Sequence, residues 1–187
     1  MSEQGTTEQN APVRPLEALN LDDFRLGEDF VQIQLDSRMD NRLVAVALAR
    51  QARRTIDLFS RDLEAELYDQ EPFLQAVKDL TLGSPQAHLR VLLQDASRVV
   101  RDGHRLVELM RRLTSSIEIR QPHSDYRSYN EAFLVVDGYG VIHRRLADRP
   151  QGIASFKAPL RALELTKFFD DVWERSSPHP DLRRLYI

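Results

Sequence analysis

The sequence predicts an α/β fold, a mixed sheet covered by helices on both faces. Three observations carry this. Short runs rich in β-branched and apolar residues, Thr55–Ser60 (TIDLFS) and His88–Leu93 (HLRVLL), have the length and texture of strands. Between them, apolar residues return every three or four positions, as on one face of a helix. The two kinds of segment alternate along the chain, and alternating β and α give a sheet with parallel strands packed between helices.

Taken in order, residues 1–20 carry little apolar surface and read as a disordered tail ahead of one domain over 21–187. Val31, Ile33 and Leu35 alternate with Gln32 and Gln34, the period of a half-buried strand. A helix is predicted over 39–53 and a strand at Thr55–Ser60. Asp69 is a candidate cap for a helix through Leu80, with Phe73, Leu74 and Val77 inward, ended by Gly83, Ser84 and Pro85. After the strand His88–Leu93, one helix is predicted over 97–113, its stripe running through Val99, Gly103, Leu106, Met110 and Leu113. Ile117 and Ile119 mark a strand, 121–129 a polar loop, and 131–136 another strand. Asp137-Gly138-Tyr139-Gly140 then supplies turn chemistry, so 141–145 returns antiparallel. Residues 152–156 add a strand. Pro159 opens a last helix to about 175, predicted to bury Leu160, Leu163, Leu165, Phe168, Phe169 and Val172, with Trp173 near its end.

Composition excludes several functions. The 187 residues carry a net charge of −3 with a pI near 6.0, which argues against a general nucleic-acid coat and its counterion-displacing basic surface. Arginines 98, 101, 105, 111 and 112 cluster on one segment, but few aromatic residues accompany them. Cysteine is absent, which removes disulfides, thiolate catalysis and cysteine zinc sites and fits a reducing compartment. No run approaches the ~20 apolar residues of a membrane span. No signal-peptide core precedes the domain, so a cytoplasmic location is expected. His88, His104, His123 and His179 lack metal-ligand spacing, and no metal or cofactor is expected. His123-Ser124-Asp125 contains triad residue types, but adjacency in a loop is not a triad in space.

The order of elements over 55–173, with a hairpin after the third βα unit, resembles one unit of the phospholipase D-like family. That family carries the signature H-x-K-x4-D on the strand after the third unit. Here residues 130–137 read N-E-A-F-L-V-V-D. Asp137 matches the aspartate, while Asn130 and Ala132 stand at the histidine and lysine positions. The downstream Gly-Ser-x-Asn of many members falls on Arg144, Arg145, Leu146 and Ala147 and is missing. A narrower resemblance is to a bacterial phospholipase D-like domain family of unknown function. It rests on the ending F-F-D-x-x-W-E-x-S at 168–176 and D-L-R-R-L-x-I at 181–187. The resemblance includes relatives joined to acetyltransferase domains. This chain has no glycine-rich coenzyme A loop, so that activity is not implied.

What the resemblance implies is a phospholipase D-like sandwich without the family's chemistry. In the enzymes one histidine attacks phosphorus, a second protonates the leaving oxygen, and lysines hold the phosphoryl oxygens. A covalent route needs an activated nucleophile, and Asn130 cannot form a phosphohistidine. The expected function is a non-catalytic binding or assembly module, its partner a protein or a small anionic ligand. The alternative is a phosphodiesterase with a rearranged site. His143 and Arg145 on the return strand are the candidate anion-binding residues for that site, one side of the strand carrying both and the other Arg144. Asp137 is expected to serve the turn and accept local backbone N–H bonds. Family enzymes bring two units face to face, so the resemblance implies either a homodimer through the surface near residues 130–137 or a monomer in which that surface has become an open face.

Overall fold

The computed structural model describes residues 7, 8 and 10–183, the last of these by its backbone alone. In chain order the elements are β1 (Val13–Pro15), β2 (Gln32–Leu35), α1 (Arg38–Gln51), β3 (Thr55–Ser60), α2 (Ala65–Tyr68) and α3 (Glu71–Gly83). There follow β4 (His88–Leu93), α4 (Ser97–Asp102), α5 (Arg105–Arg112), β5 (Ile117–Gln121), β6 (Ala132–Val136) and β7 (Gly140–Arg144). The chain continues through β8 (Gly152–Ser155), α6 (Pro159–Glu174), β9 (Ser177–Pro178) and α7 (Pro180–Arg183). The strands form one mixed sheet in the order β1-β2-β8-β7-β6-β3-β4-β5-β9. Strands β3, β4 and β5 are parallel. The β6–β7–β8 meander runs antiparallel beside β3, with Phe59 opposite Phe133 and Ile56 opposite Val136. The start of β6 therefore lies against the C-terminal end of β3.

Alternation along the strands divides the core in two. Leu134 and Val136 of β6, with Leu58 and Val91, pack under the helices that contribute Val44, Phe73, Val77 and Leu106. Phe133 and Val135 face the opposite way with Phe59 and Leu92, against Leu165, Phe169 and Val172 of α6. Helix α1 begins with a capping box, in which Ser37 and Asp40 satisfy each other's backbone N–H groups. Three residues, 137–139, join β6 to β7; the Tyr139 N–H donates to the Val136 carbonyl at 3.0 Å across a turn whose central residues are Asp137 at φ 52° and Gly138 at φ 72°. These are the left-handed positions of a type I′ turn, matched to the twist of the flanking strands.

Four expectations are corrected. The 97–113 segment is two helices, because Gly103 turns left-handed at φ 77° and His104 starts a new helix by accepting from the Leu106 N–H at 3.2 Å. Helix α3 is entered through Gln70, not Asp69, whose carboxylate instead accepts from the Arg105 guanidinium at 2.8 Å. Leu160 and Leu163 are exposed (55% and 53%), since the buried stripe of α6 runs through Ala162, Leu165, Phe169 and Val172 on the other side. The tail expected to be disordered over 1–20 is ordered where it is described, residues 1–6 and 9 lying outside the described ones. Strand β1 pairs in parallel with β2, Arg14 opposite Ile33. The Glu8 carboxylate accepts from the first backbone N–H groups of α6, Leu160 at 2.8 Å and Arg161 at 2.9 Å. Without β1 the backbone groups of β2 on that side would go unpaired, which is the physical reason so polar a segment docks.

Candidate functional site

Asn130 lines a cleft at the C-terminal ends of β3 and β4, the edge where open α/β sheets take ligands. Arg61 follows β3, and Gln94 and Asp95 follow β4. Arg127, Ser128, Tyr129 and Asn130 come from the loop before β6, and Asp148 from the loop after β7; together they line a cavity of about 680 Å³. The floor is held by Gln94, whose amide donates to the carbonyls of Tyr126 at 3.1 Å and Tyr129 at 2.8 Å. The Tyr129 ring lies against Phe168 and Phe59, at centroid separations of 4.4 and 5.0 Å. The Asn130 carbonyl accepts from the Ala147 N–H at 2.7 Å, tying the two loops together. Among the described residues the lining thus offers two guanidiniums, two carboxylates and two side-chain amides, but neither imidazole nor lysine.

Ala132 is buried on β6 directly opposite Arg144, so the two share one face of the sheet. Arg144 is 3% exposed and its guanidinium is tied to Glu64, one contact being Nη1 to Oε1 at 3.0 Å. Burial opposes this charge, and the Glu64 carboxylate more than offsets it, holding the guanidinium above its ordinary pKa. The cation nearest the lysine position is therefore already neutralised.

Asp137 sits at the other end of β6, about 20 Å along an extended chain of seven residues from Asn130. Its carboxylate reaches across the sheet. Oδ1 accepts from the N–H groups of Arg54 and Thr55 and Oδ2 from that of Arg53, each at 2.8 Å. The expected local acceptor role is corrected, since these donors are 82–84 residues away in the chain.

His143 and Arg145 do not face the Asn130 cleft. Residue His143 pairs with Phe133 and so lies on the α6 side, where it and Arg145 line a separate cavity sharing no residue with the first. The His143 Nε2 lies 2.5 Å from Glu131 Oε2, and Nδ1 is 3.0 Å from Nη2 of Arg161. Burial, helped by Arg161 and Arg145 and opposed by Glu131, holds the imidazole below its ordinary value. A neutral ring with its proton on Nε2 satisfies both neighbours, donating to Glu131 and accepting from Arg161. Burial and the same Glu131 carboxylate push the Tyr129 phenol well up.

The remaining sequence candidates do not assemble. His123 accepts from the Asp125 N–H at 3.3 Å, and Asp125 is engaged by Arg175, so no hydroxyl is activated. Arg98, Arg101 and Arg105 pair with Asp62, Asp102 and Asp69. Among the described residues no group of three His, Cys, Asp or Glu side chains is placed to hold a metal, and no helix is long and apolar enough to cross a membrane. Sequence reasoning missed Arg61, Gln94, Arg127, Asp148 and Glu64. Strand-end position alone would have nominated Arg61 and Gln94; nothing local marks Glu64, whose partner is 80 residues away.

No curated protein matches the sequence. Solved structures do. The chain is similar to Nuc, a phospholipase D family member from Salmonella typhimurium, at TM-score 0.53 and 12% identity, covering 74% of this chain and 90% of that one. NucT from Helicobacter pylori is similar at TM-score 0.54 and 8% identity, over 76% of this chain and 92% of that one. TrmBL2, an archaeal chromatin protein, is similar at TM-score 0.58 and 13% identity, over 79% of this chain but only 54% of that one. At these identities the likeness is one of fold, and the fold is phospholipase D-like. Residues 37–185 match the family described as "Domain of unknown function (DUF7931)", and with nearly the whole domain covered, the chain belongs to that family.

Proposed function

We propose that this chain is a non-catalytic phospholipase D-like binding module. The observation that carries it is the make-up of the cleft where β3, β4 and β6 meet. Its lining holds no imidazole or lysine, and its two arginines are balanced by two aspartates. Covalent phosphoryl transfer needs a nucleophile and an acid, and the acid–base step alone contributes ~10²–10⁴ in rate. Asn130, at the histidine position, donates hydrogen bonds and does neither. The Arg144 guanidinium opposite Ala132 is bound to Glu64 and so does not stand in for a lysine there. His143 does not take over, because its ring lies on the other face, neutral and bonded on both nitrogens. What remains is a polar cleft fit to bind a small anionic ligand or a protein loop without turning it over.

The test is a phosphodiesterase screen with bis(p-nitrophenyl) phosphate, phosphatidylcholine vesicles and single-stranded DNA. No turnover above buffer is expected. Turnover that disappears in Asn130→Ala or His143→Ala would overturn the proposal.

A further inference from the structure

The second cavity, on the α6 side of the sheet, has a different character. It measures about 600 Å³, within the range of small-molecule sites. Its floor is apolar and includes the buried Val141 and Ala158. Leu146 and Ile153 are large apolar side chains left 48% and 39% exposed within it. Its rim is cationic, with Arg145, Arg149, Lys157 and Arg161 against a single carboxylate, that of Glu8. Among the described residues Arg145, Arg149 and Lys157 make no ion pair, although the chain as a whole is acidic. Arg161 is a fixed wall, held by His143 and Glu164.

Glu8 is the informative contact. Its carboxylate sits on the first N–H groups of α6, those of Leu160 and Arg161, at the positive end of a 16-residue helix. The residue belongs to the N-terminal segment, held there also by the Gln32 amide donating to its carbonyl at 3.1 Å. An anion thus already occupies the polar end of a cationic, apolar-floored cavity, and it arrives on the N-terminal segment ahead of β1. We propose that this cavity binds a small amphipathic anion, a carboxylate or phosphate monoester on an apolar body, and that Glu8 is the internal occupant it displaces. The head takes the α6 amides and the Arg145 and Arg149 guanidiniums. The body lies over Ile153 and Leu146, removing their exposed surface from water. This site shares no lining residue with the Asn130 cleft, so its fate is independent of the function proposed above.

Isothermal titration of the full chain, below the micellar concentration of each probe, tests the proposal with decanoate, decyl phosphate, decanol and inorganic phosphate. Binding of decanoate or decyl phosphate is expected, the tighter one identifying the head. Decanol and inorganic phosphate, each lacking one half of the chemistry, bind at least about tenfold more weakly, the scale of one charged hydrogen bond. Glu8→Ala tightens the bound amphiphile several-fold, and Arg145→Glu, an exposed substitution, weakens it about tenfold or more. Both variants are first checked by circular dichroism for a native spectrum and a cooperative melt, with Glu8→Ala expected to melt a few degrees lower because it loses its contact with α6. Failure of both amphiphiles to bind, decanol binding as tightly as decanoate, or an affinity indifferent to Glu8→Ala in a folded variant each overturns the proposal.

Discussion

Asp137, at the turn after β6, has a structural role that can be measured. Its carboxylate accepts three backbone N–H bonds at 2.8 Å from the turn between α1 and β3. Hydrogen bonds to a charged group are worth about 1.5–3 kcal/mol net when buried. The donors at Arg53 and Arg54 are exposed and regain water on truncation, so about 0.5–1 kcal/mol each is the appropriate scale. The donor at Thr55 is half-buried and opens β3, for which about 1.5 kcal/mol applies. The three together give about 3 kcal/mol. Alanine at φ 52° adds about 1 kcal/mol of left-handed strain, which aspartate and asparagine tolerate better. Asp137→Ala is therefore expected to lose about 4 kcal/mol, or roughly 10 °C in Tm for a domain of this size. Asp137→Asn keeps Oδ1 for Arg54 and Thr55 but turns an amide toward the Arg53 N–H, and should lose roughly half as much. Urea unfolding followed by circular dichroism measures both, with unchanged m-values expected. An alanine variant within about 1 kcal/mol of wild type, or an asparagine variant as unstable as alanine, refutes the clasp.

Three further outcomes follow from other contacts. Glu64→Gln leaves the buried Arg144 guanidinium uncompensated and should cost about 3 kcal/mol, whereas Glu64→Leu with Arg144→Met should stay within about 1 kcal/mol of wild type; urea midpoints of the single and double variants decide it. Burial holds His143 and His104 below their ordinary values, so both take up protons more readily unfolded than folded. Their contribution is complete above about pH 6.5 and is lost as the pH falls through that value toward the folded one. His143→Asn should therefore flatten part of the decline in urea midpoint between pH 7.5 and 5.5, and an unchanged decline contradicts the assignment. Deleting residues 1–15 removes the Glu8 contact with α6 and the pairing of β1, and should lower stability by about 2 kcal/mol, read as a fall in Tm.

Much of this architecture could be read from the chain because it is locally encoded. The strands at Thr55–Ser60 and His88–Leu93 appear at the predicted residues, since a buried parallel strand is a continuous apolar run that needs no distant partner to be seen. The Asp-Gly hairpin was legible for the same reason. Where the reading failed, a tertiary contact decided. Gly103 fits a helical stripe by spacing, yet its left-handed φ breaks the helix so that His104 can be buried. Leu160 and Leu163 are as apolar as Leu165, and only the position of the sheet decides which stripe of α6 is covered. The same holds at the sites. The sequence singled out Asn130 and Asp137, but the acceptor role of Asp137, the partner of Arg144 and the separation of His143 from Asn130 depend on residues some 80 positions apart or on which face a strand presents.

Among the described residues the sheet ends in proline on both sides. On one side β1 is three residues closing with Pro15, and on the other β9 is two residues closing with Pro178. Proline has no N–H to offer a neighbouring strand, and such short margins give an incoming chain almost no ladder to extend. Two copies of this domain therefore have no ready route to a continuous intermolecular sheet. Any self-association has to use a helical face or the loops around the strand ends, where side chains rather than backbone choose the partner. The same blunt margins also guard against open-ended stacking of a nine-stranded sheet, a hazard that a long, flat, unprotected edge would carry at high concentration.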